Sequence, residues 1–225
     1  MNAIILTGVS RGLGLHLHDL LIQKNLPSGE RIFFSRSAIS TTSKMHQYIY
    51  GNLATMSEYD FNFNISSNVK CVIFINNASV IAPIKKSENV SAAELLEVWK
   101  VNCQAPFLIA KKLTAKTKEI GAKLIILDIT SGAAKNPIKG WVAYCSSKAA
   151  IRIALDVLDE ENDHVKVSHI DPGVMNTDMQ VYIREQSVRE MPDVDKFRAY
   201  KINSDLKEPG HVAENIIAMI KNILI

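Results

Sequence analysis

Tyr144 and Lys148 stand four residues apart in the run Tyr-Cys-Ser-Ser-Lys, a spacing that puts a phenol and an ammonium on one face of a helix. A phenol with its ordinary pKa near ~10 is a poor acid–base group at neutral pH. An adjacent ammonium favours the phenolate and brings the group toward its working range. Tyr-x-x-x-Lys recurs by chance in many proteins, so the pair gains meaning only with company. Ser131, thirteen positions earlier, supplies a hydroxyl that can hydrogen-bond a carbonyl oxygen while Tyr144 protonates it. Taken by itself, Ser131 is a turn serine beside Gly132.

A second chemistry lies at the N-terminal end. Thr7-Gly8-Val9-Ser10-Arg11-Gly12-Leu13-Gly14 follows an apolar stretch, Ala3–Leu6, and opens a helical pattern. Glycines there permit positive φ and let the backbone approach a pyrophosphate, whose charge a helix N-terminus favours. An NAD-selective fold usually closes its second strand on a carboxylate that binds the ribose 2′-hydroxyl. Here that strand ends Phe-Phe-Ser35 and continues Arg36-Ser37 with no acid. Arg36 can make charge-assisted bonds to a 2′-phosphate, and Arg11 adds a second positive charge. Either arginine alone is equally an exposed loop residue; together with the missing acid they point to NADP(H).

The elements that must position these groups follow from hydrophobic patterning. Short β-type runs at Ala3–Leu6, Arg31–Ser35, Gln47–Asn52, Lys70–Asn76, Lys123–Ile129 and Val165–Ile170 alternate with helical stretches at Gly12–Asn25, Ala92–Ile120, Val142–Asn162 and Pro209–Leu224. The fourth and fifth runs are nearly continuous in apolar residues, as central parallel strands buried on both faces are. Ser91 followed by Glu94 predicts a capping box, and Pro209 is tolerated at a first helical position. The alternation predicts one α/β domain over 1–225, a doubly wound parallel sheet with helices on both faces. Ser37–Met45, Thr55–Asn68 and Asn176–Asp205 lack regular patterning, and the last has the length of a mobile segment over a binding site.

The 225 residues are about half apolar with a net charge of +3, too small to argue for nucleic acid or an acidic membrane. The lysines between Lys111 and Lys118 alternate with apolar residues as a solvated helix face does. The N-terminal apolar stretch reads as a strand rather than a signal peptide, and no apolar run suggests a membrane span. Cys71, Cys103 and Cys145 have no metal-ligand spacing. Cys71 and Cys103 sit in apolar surroundings and read as reduced core thiols, as in a cytoplasmic protein without a metal site.

Gly-x-x-x-Gly-x-Gly after the first strand, with Ser131, Tyr144 and Lys148 in this order, resembles the short-chain dehydrogenase/reductase family along nearly the whole chain. The resemblance adds Asn102 to the other three as a catalytic tetrad, where it would hold a water linking Lys148 to solvent. It assigns cofactor contacts to Gly8, Ser10, Arg11, Gly12, Leu13, Gly14, Arg36, Ser37, Asn52, Leu53, Asn77, Ala78, Tyr144, Lys148, Pro172, Gly173, Val174 and Thr177. Asn52-Leu53 corresponds to the family's adenine-contacting pair, and Pro172–Thr177 to the segment holding the nicotinamide carboxamide. It implies a Rossmann-type fold, an NADP(H)-dependent carbonyl reductase acting on a small-molecule carbonyl substrate, and a homodimer. The stretches 129–134, 140–148 and 177–180 resemble members such as sepiapterin reductase and the bacterial benzil reductases.

Some positions depart from the family. Ser79 stands where glycine is usual, which would strain the backbone if positive φ is needed there. Asp128 replaces a common asparagine before the Thr-Ser pair. The chain stops after its last helix, so the seventh strand is expected to be absent or shortened. A tetramer and a pterin substrate are therefore less expected than a dimer acting on a simple or aromatic diketone. Trp141 and the segment 175–200 are expected to wall the substrate pocket, with Trp141 alternatively a packing residue. Two other functions stay open: an NADP(H)-binding regulatory or redox-sensing module without turnover, and an NAD-linked alcohol dehydrogenase.

Overall fold

The computed structural model describes residues 1–23, 29–39 and 45–224. Strands β1 (Asn2–Thr7), β2 (Gly29–Ser35), β3 (Gln47–Tyr50), β4 (Cys71–Asn76), β5 (Lys123–Ile129) and β6 (Val165–Ile170) form one parallel sheet in the order β3-β2-β1-β4-β5-β6. The strand order reverses between β1 and β4, so the crevice where a doubly wound sheet takes its ligand opens at their C-terminal ends. Asn2↔Cys71 through Leu6↔Ile75 set that central register. With the six strands come α1 (Gly12–Gln23), α2 (Ala92–Trp99), α3 (Ala105–Ile120), α4 (Val142–Glu160), α5 (Asp178–Arg184), α6 (Val194–Ile202) and α7 (Pro209–Leu224).

Alternation along the strands builds two apolar layers, because successive side chains leave opposite faces. Ile4, Leu6, Phe33, Ile73, Ile75, Leu127 and Ile129 pack under α1 and α7 through Leu13, Leu17, Val212, Ile216 and Ile220. Ala3, Ile5, Val72, Phe74, Leu124 and Ile126 pack under α3 and α4 through Ile109, Leu113, Ile151 and Leu155. At about 25 cal/mol per Å² of apolar area these two layers are the main stabilising term. They fix the strand ends that carry the site.

Several expected boundaries shift. β3 ends at Tyr50, because Asn52 turns the chain by accepting from the Ala54 N–H (3.1 Å). The helix expected over 92–120 is interrupted by a π-turn at Lys100–Gln104. Pro106 follows; it has no N–H to give the Asn102 carbonyl four residues back, and a widened turn accommodates that loss. α4 ends at Glu160 rather than Asn162. The last two residues of the helix expected over 12–25, and 40–44 of the stretch 37–45, lie outside the described residues. The segment expected to be irregular over 176–205 carries α5 and α6. Ile183, Met191, Val194 and Phe197 pack it against Ile81, Ile84, Trp141 and Tyr144 as a third apolar cluster.

Ser91 and Glu94 form the expected capping box, with Glu94 N donating to Ser91 Oγ (3.3 Å) and Ser91 N to Glu94 Oε2 (3.0 Å). No described helix is long and apolar enough to cross a membrane.

Candidate active site

One cavity of about 1130 Å³ runs along the C-terminal ends of β1, β2, β4 and β5. Ligand pockets commonly hold roughly 300–1,000 Å³, so there is room for a dinucleotide with a substrate beside it. Of the predicted cofactor residues, Gly8, Ser10, Arg11, Gly12, Leu13, Gly14, Arg36, Asn52, Leu53, Asn77, Ala78, Tyr144, Lys148, Pro172, Gly173, Val174 and Thr177 line it, as does Ser131. Ser37 and Asn102 do not.

At one end the β1–α1 turn is shaped by its glycines. Gly8 has φ +76°, and a Cβ on it would meet Ala78 Cα at 2.9 Å; one on Gly14 would meet the Gly8 carbonyl oxygen at 2.0 Å. Only glycine lets α1 start this close to β1, with its N-terminus facing the cavity. Asn77 clamps the turn, its Nδ2 donating to the carbonyls of Thr7 (2.9 Å) and Gly8 (3.2 Å). The backbone N–H groups of Asn77 and Ala78 both donate to Thr7 Oγ1 (3.1 Å each). At the end of β2, Arg36 is exposed on the cavity wall. Arg11 lies 3.9 Å from the Asp178 carboxylate with both side chains well exposed, a contact too solvated to hold it firmly.

At the other end, α4 presents Tyr144 and Lys148, both buried. Lys148 Nζ donates to the Ile129 carbonyl (3.0 Å) and sits 6.0 Å from the Tyr144 ring centre. Ser131 Oγ accepts from Ala133 N (3.2 Å), capping a short 3-10 turn. That bond uses an acceptor site of the hydroxyl and leaves its proton to donate. The turn-serine role and a carbonyl-binding role are thus compatible.

Asn102 is buried on the π-turn. Its Oδ1 accepts from Val80 N (2.8 Å) and Ser79 Oγ (3.2 Å), and its Nδ2 donates to the Val80 carbonyl (2.8 Å) and Ser147 Oγ (3.1 Å). It braces the loop after β4 against α4. Ser79 has no strained backbone: Ser204 is the one non-glycine with positive φ among the described residues.

Trp141 both packs and lines the cavity. It meets Tyr144 edge-on at 5.6 Å between ring centres, and its Nε1 donates to Met191 Sδ (3.4 Å). Ile81, Met179, Ile183, Phe197 and Tyr200 complete an apolar and aromatic wall.

Three features escaped the sequence reading. Gln180 and Thr130 line the cavity with the Gln180 amide atoms and Thr130 Oγ1 buried and unpartnered. Asp128, flagged as a departure, is fully buried, accepts from Asn76 Nδ2 (2.8 Å) and lies 2.8 Å from His169 Nδ1. His169 Nε2 reaches Asp156 (2.9 Å). Burial pushes the Asp128 carboxyl up, but His169, Lys148 and Asn76 outweigh it and hold it below the ordinary range. The hydrogen bond to Asp128, opposed by burial and helped by Asp156, pushes the His169 imidazole up. A lone histidine in a strand gives no sign of such partners, since both carboxylates come from distant elements.

This parallel sheet, glycine turn and Ser–Tyr–Lys cluster define an oxidoreductase of the nicotinamide-binding class. The chain belongs to the short-chain dehydrogenase family, whose profile, described as "short chain dehydrogenase", matches residues 2–188. It is 32% identical to a benzil reductase ((S)-benzoin forming) of Bacillus subtilis, covering 98% of this chain and 94% of that one. A sepiapterin reductase of Xenopus tropicalis is 27% identical over 93% of this chain and 85% of its own length. Among solved structures, the KRED1-Pglu enzyme superposes with a TM-score of 0.83 at 21% identity, covering 97% of this chain and 94% of that one.

Proposed function

We propose that this chain is an NADPH-dependent carbonyl reductase that converts a ketone or diketone to the alcohol. The observation that carries this reading is that Ser131, Tyr144 and Lys148 meet the glycine turn in a single cavity. The residues fit the cofactor. Gly8 and Gly12 hold positive φ in the turn, the helix N-terminus offers N–H groups to phosphate, and Arg11 and Arg36 supply cations where the C-terminal end of β2 brings no acid. A bound reduced nicotinamide supplies the hydride.

The protein's own part is proton delivery and orientation. Ser131 donates a hydrogen bond to the substrate oxygen and holds it within reach of Tyr144, whose phenol gives up its proton as charge develops there. Lys148, fixed by the Ile129 carbonyl, keeps a positive charge beside the phenol and stabilises the phenolate left behind. Asn102 fixes the loop and helix that present these groups. The apolar and aromatic wall from Trp141 to Tyr200 excludes water and suits a simple or aromatic diketone, as do the benzil reductases' names.

We further propose one domain, a homodimer and a cytoplasmic setting. Leu96 and Trp99 on α2 and Ile153 and Val157 on α4 are exposed apolar side chains, of the kind an interface between copies would cover. The free thiols Cys71, Cys103 and Cys145 suit a reducing compartment. The test of the function is purified protein with NADPH and benzil. Consumption of reduced nicotinamide with formation of the hydroxyketone supports it. Tight nucleotide binding with no turnover across a panel of ketones and diketones would sink it.

A further inference from the structure

The group beneath Lys148 is unusual for the interior of a sheet–helix layer. Leu124 and Ile126 of β5 point toward α3 and α4, while Leu127 and Ile129 point to the opposite layer. By the same alternation Asp128 faces α4. An apolar residue there would extend the core, whereas a buried carboxylate is costly unless it is paired. It is paired on both oxygens, by Asn76 from β4 and His169 from β6.

On α4, Lys148, Arg152 and Asp156 follow at intervals of four and share one stripe of the helix. Asp156, partly exposed, takes the far nitrogen of His169 (2.9 Å). Lys148 spends its ammonium on the carbonyl of Ile129, the residue directly after Asp128 (3.0 Å). Arg152 acts on His169 as a like charge. The charged groups facing this spot are therefore Asp128 from β5, His169 from β6, and Lys148, Arg152 and Asp156 from α4.

We infer that Asp128 is a positioning residue for catalysis: its buried carboxylate, held by His169 and Asn76 in the layer under α4, is the counter-charge of Lys148 and tempers the pull of that ammonium on the Tyr144 phenol. A negative charge under the ammonium offsets part of the pull that Lys148 exerts on the phenol. The phenol then remains a donor at higher pH than Lys148 alone would allow. An asparagine at this position keeps the shape and the bond from Asn76 but carries no charge.

The inference rests on the proposed role of Tyr144, so its test has two readouts. The first is the pH profile of NADPH-dependent benzil reduction for wild type, Asp128→Asn and His169→Gln. Asp128→Asn should move the alkaline limb to lower pH by roughly half to one unit, the size of a partly screened unit-charge interaction. His169→Gln, which keeps a hydrogen-bond donor to the carboxylate alongside Asn76 and removes only the imidazole, should hold the limb in place or move it higher. The second readout needs no turnover: phenolate formation followed by ultraviolet difference spectra against the matching Tyr144→Phe protein should shift in the same way. An unmoved limb and phenolate titration in Asp128→Asn, or the same downward shift in both variants, overturns the inference. An inactive wild type with a shifted phenolate titration would count against the proposed function alone.

Discussion

The Asn102 side-chain amide donates to Ser147 Oγ at 3.1 Å, tying the π-turn between α2 and α3 to the helix that carries Tyr144 and Lys148. The same side chain closes two bonds with the Val80 backbone. Asn102→Ala takes a partner from four polar groups, Ser79 Oγ, the Val80 N–H and carbonyl, and Ser147 Oγ, at about 1–3 kcal/mol for each that no water then meets. We expect a lower melting temperature. Because small displacements of reacting groups cost about 10²-fold, kcat should fall by ten- to a hundredfold while NADPH affinity is largely kept. Unchanged kcat would remove Asn102 from the site's support.

The proposed preference for NADPH over NADH rests on the end of β2. Hydrogen bonds to charged groups are worth about 1.5–3 kcal/mol, so Arg36→Ala should weaken NADPH binding by roughly ten- to a hundredfold and leave NADH binding unchanged. Titration of both nucleotides by calorimetry checks this. Equal losses for the two would place Arg36 away from the 2′-phosphate.

The His169–Asp128 pair makes a pH-dependent contribution to stability. His169 is raised on folding, so its contribution is complete below its unfolded pKa of about 6.5 and is lost as pH rises through the raised value. Asp128 is lowered, so its share is present above its unfolded pKa of about 3.9 and is lost as pH falls through the lower one. Thermal melts should show greatest stability between these limits. His169→Leu leaves a buried carboxylate with Asn76 on one oxygen and nothing in place of the imidazole on the other, and should cost about 3–5 kcal/mol, with the alkaline decline flattened. A variant melting with the wild-type pH dependence would contradict this.

Ile153 and Val157, each at least half-exposed or nearly so on α4 (64% and 49%), should lie within the proposed dimer interface. Ile153→Glu is expected to shift sedimentation from dimer to monomer. A monomeric wild type would dismiss the dimer.

The central strands and both chemical motifs were legible in the sequence because they depend on local pattern: apolar runs, glycines at a fixed spacing, and Tyr144 with Lys148 on one helix face. What escaped depends on partners distant in the chain. The π-turn at Asn102 comes from a proline four residues on, inside an otherwise helical pattern. α5 and α6 are short, and their apolar residues make sense only against Trp141 and Tyr144. The Asp128–His169–Asp156 chain joins β5, β6 and α4 across 41 and 13 residues, and no spacing rule predicts it. Ser79 invited an argument from strain, yet its backbone keeps negative φ and its hydroxyl donates to Asn102.

Tyr144 is the proposed proton donor, and the most direct measurement compares wild type and Tyr144→Phe in the reduction of benzil by NADPH. General acid catalysis contributes about 10²–10⁴-fold. The variant should therefore lose at least a hundredfold in kcat while binding NADPH as tightly as wild type. Reduction at the wild-type rate by Tyr144→Phe would contradict the account.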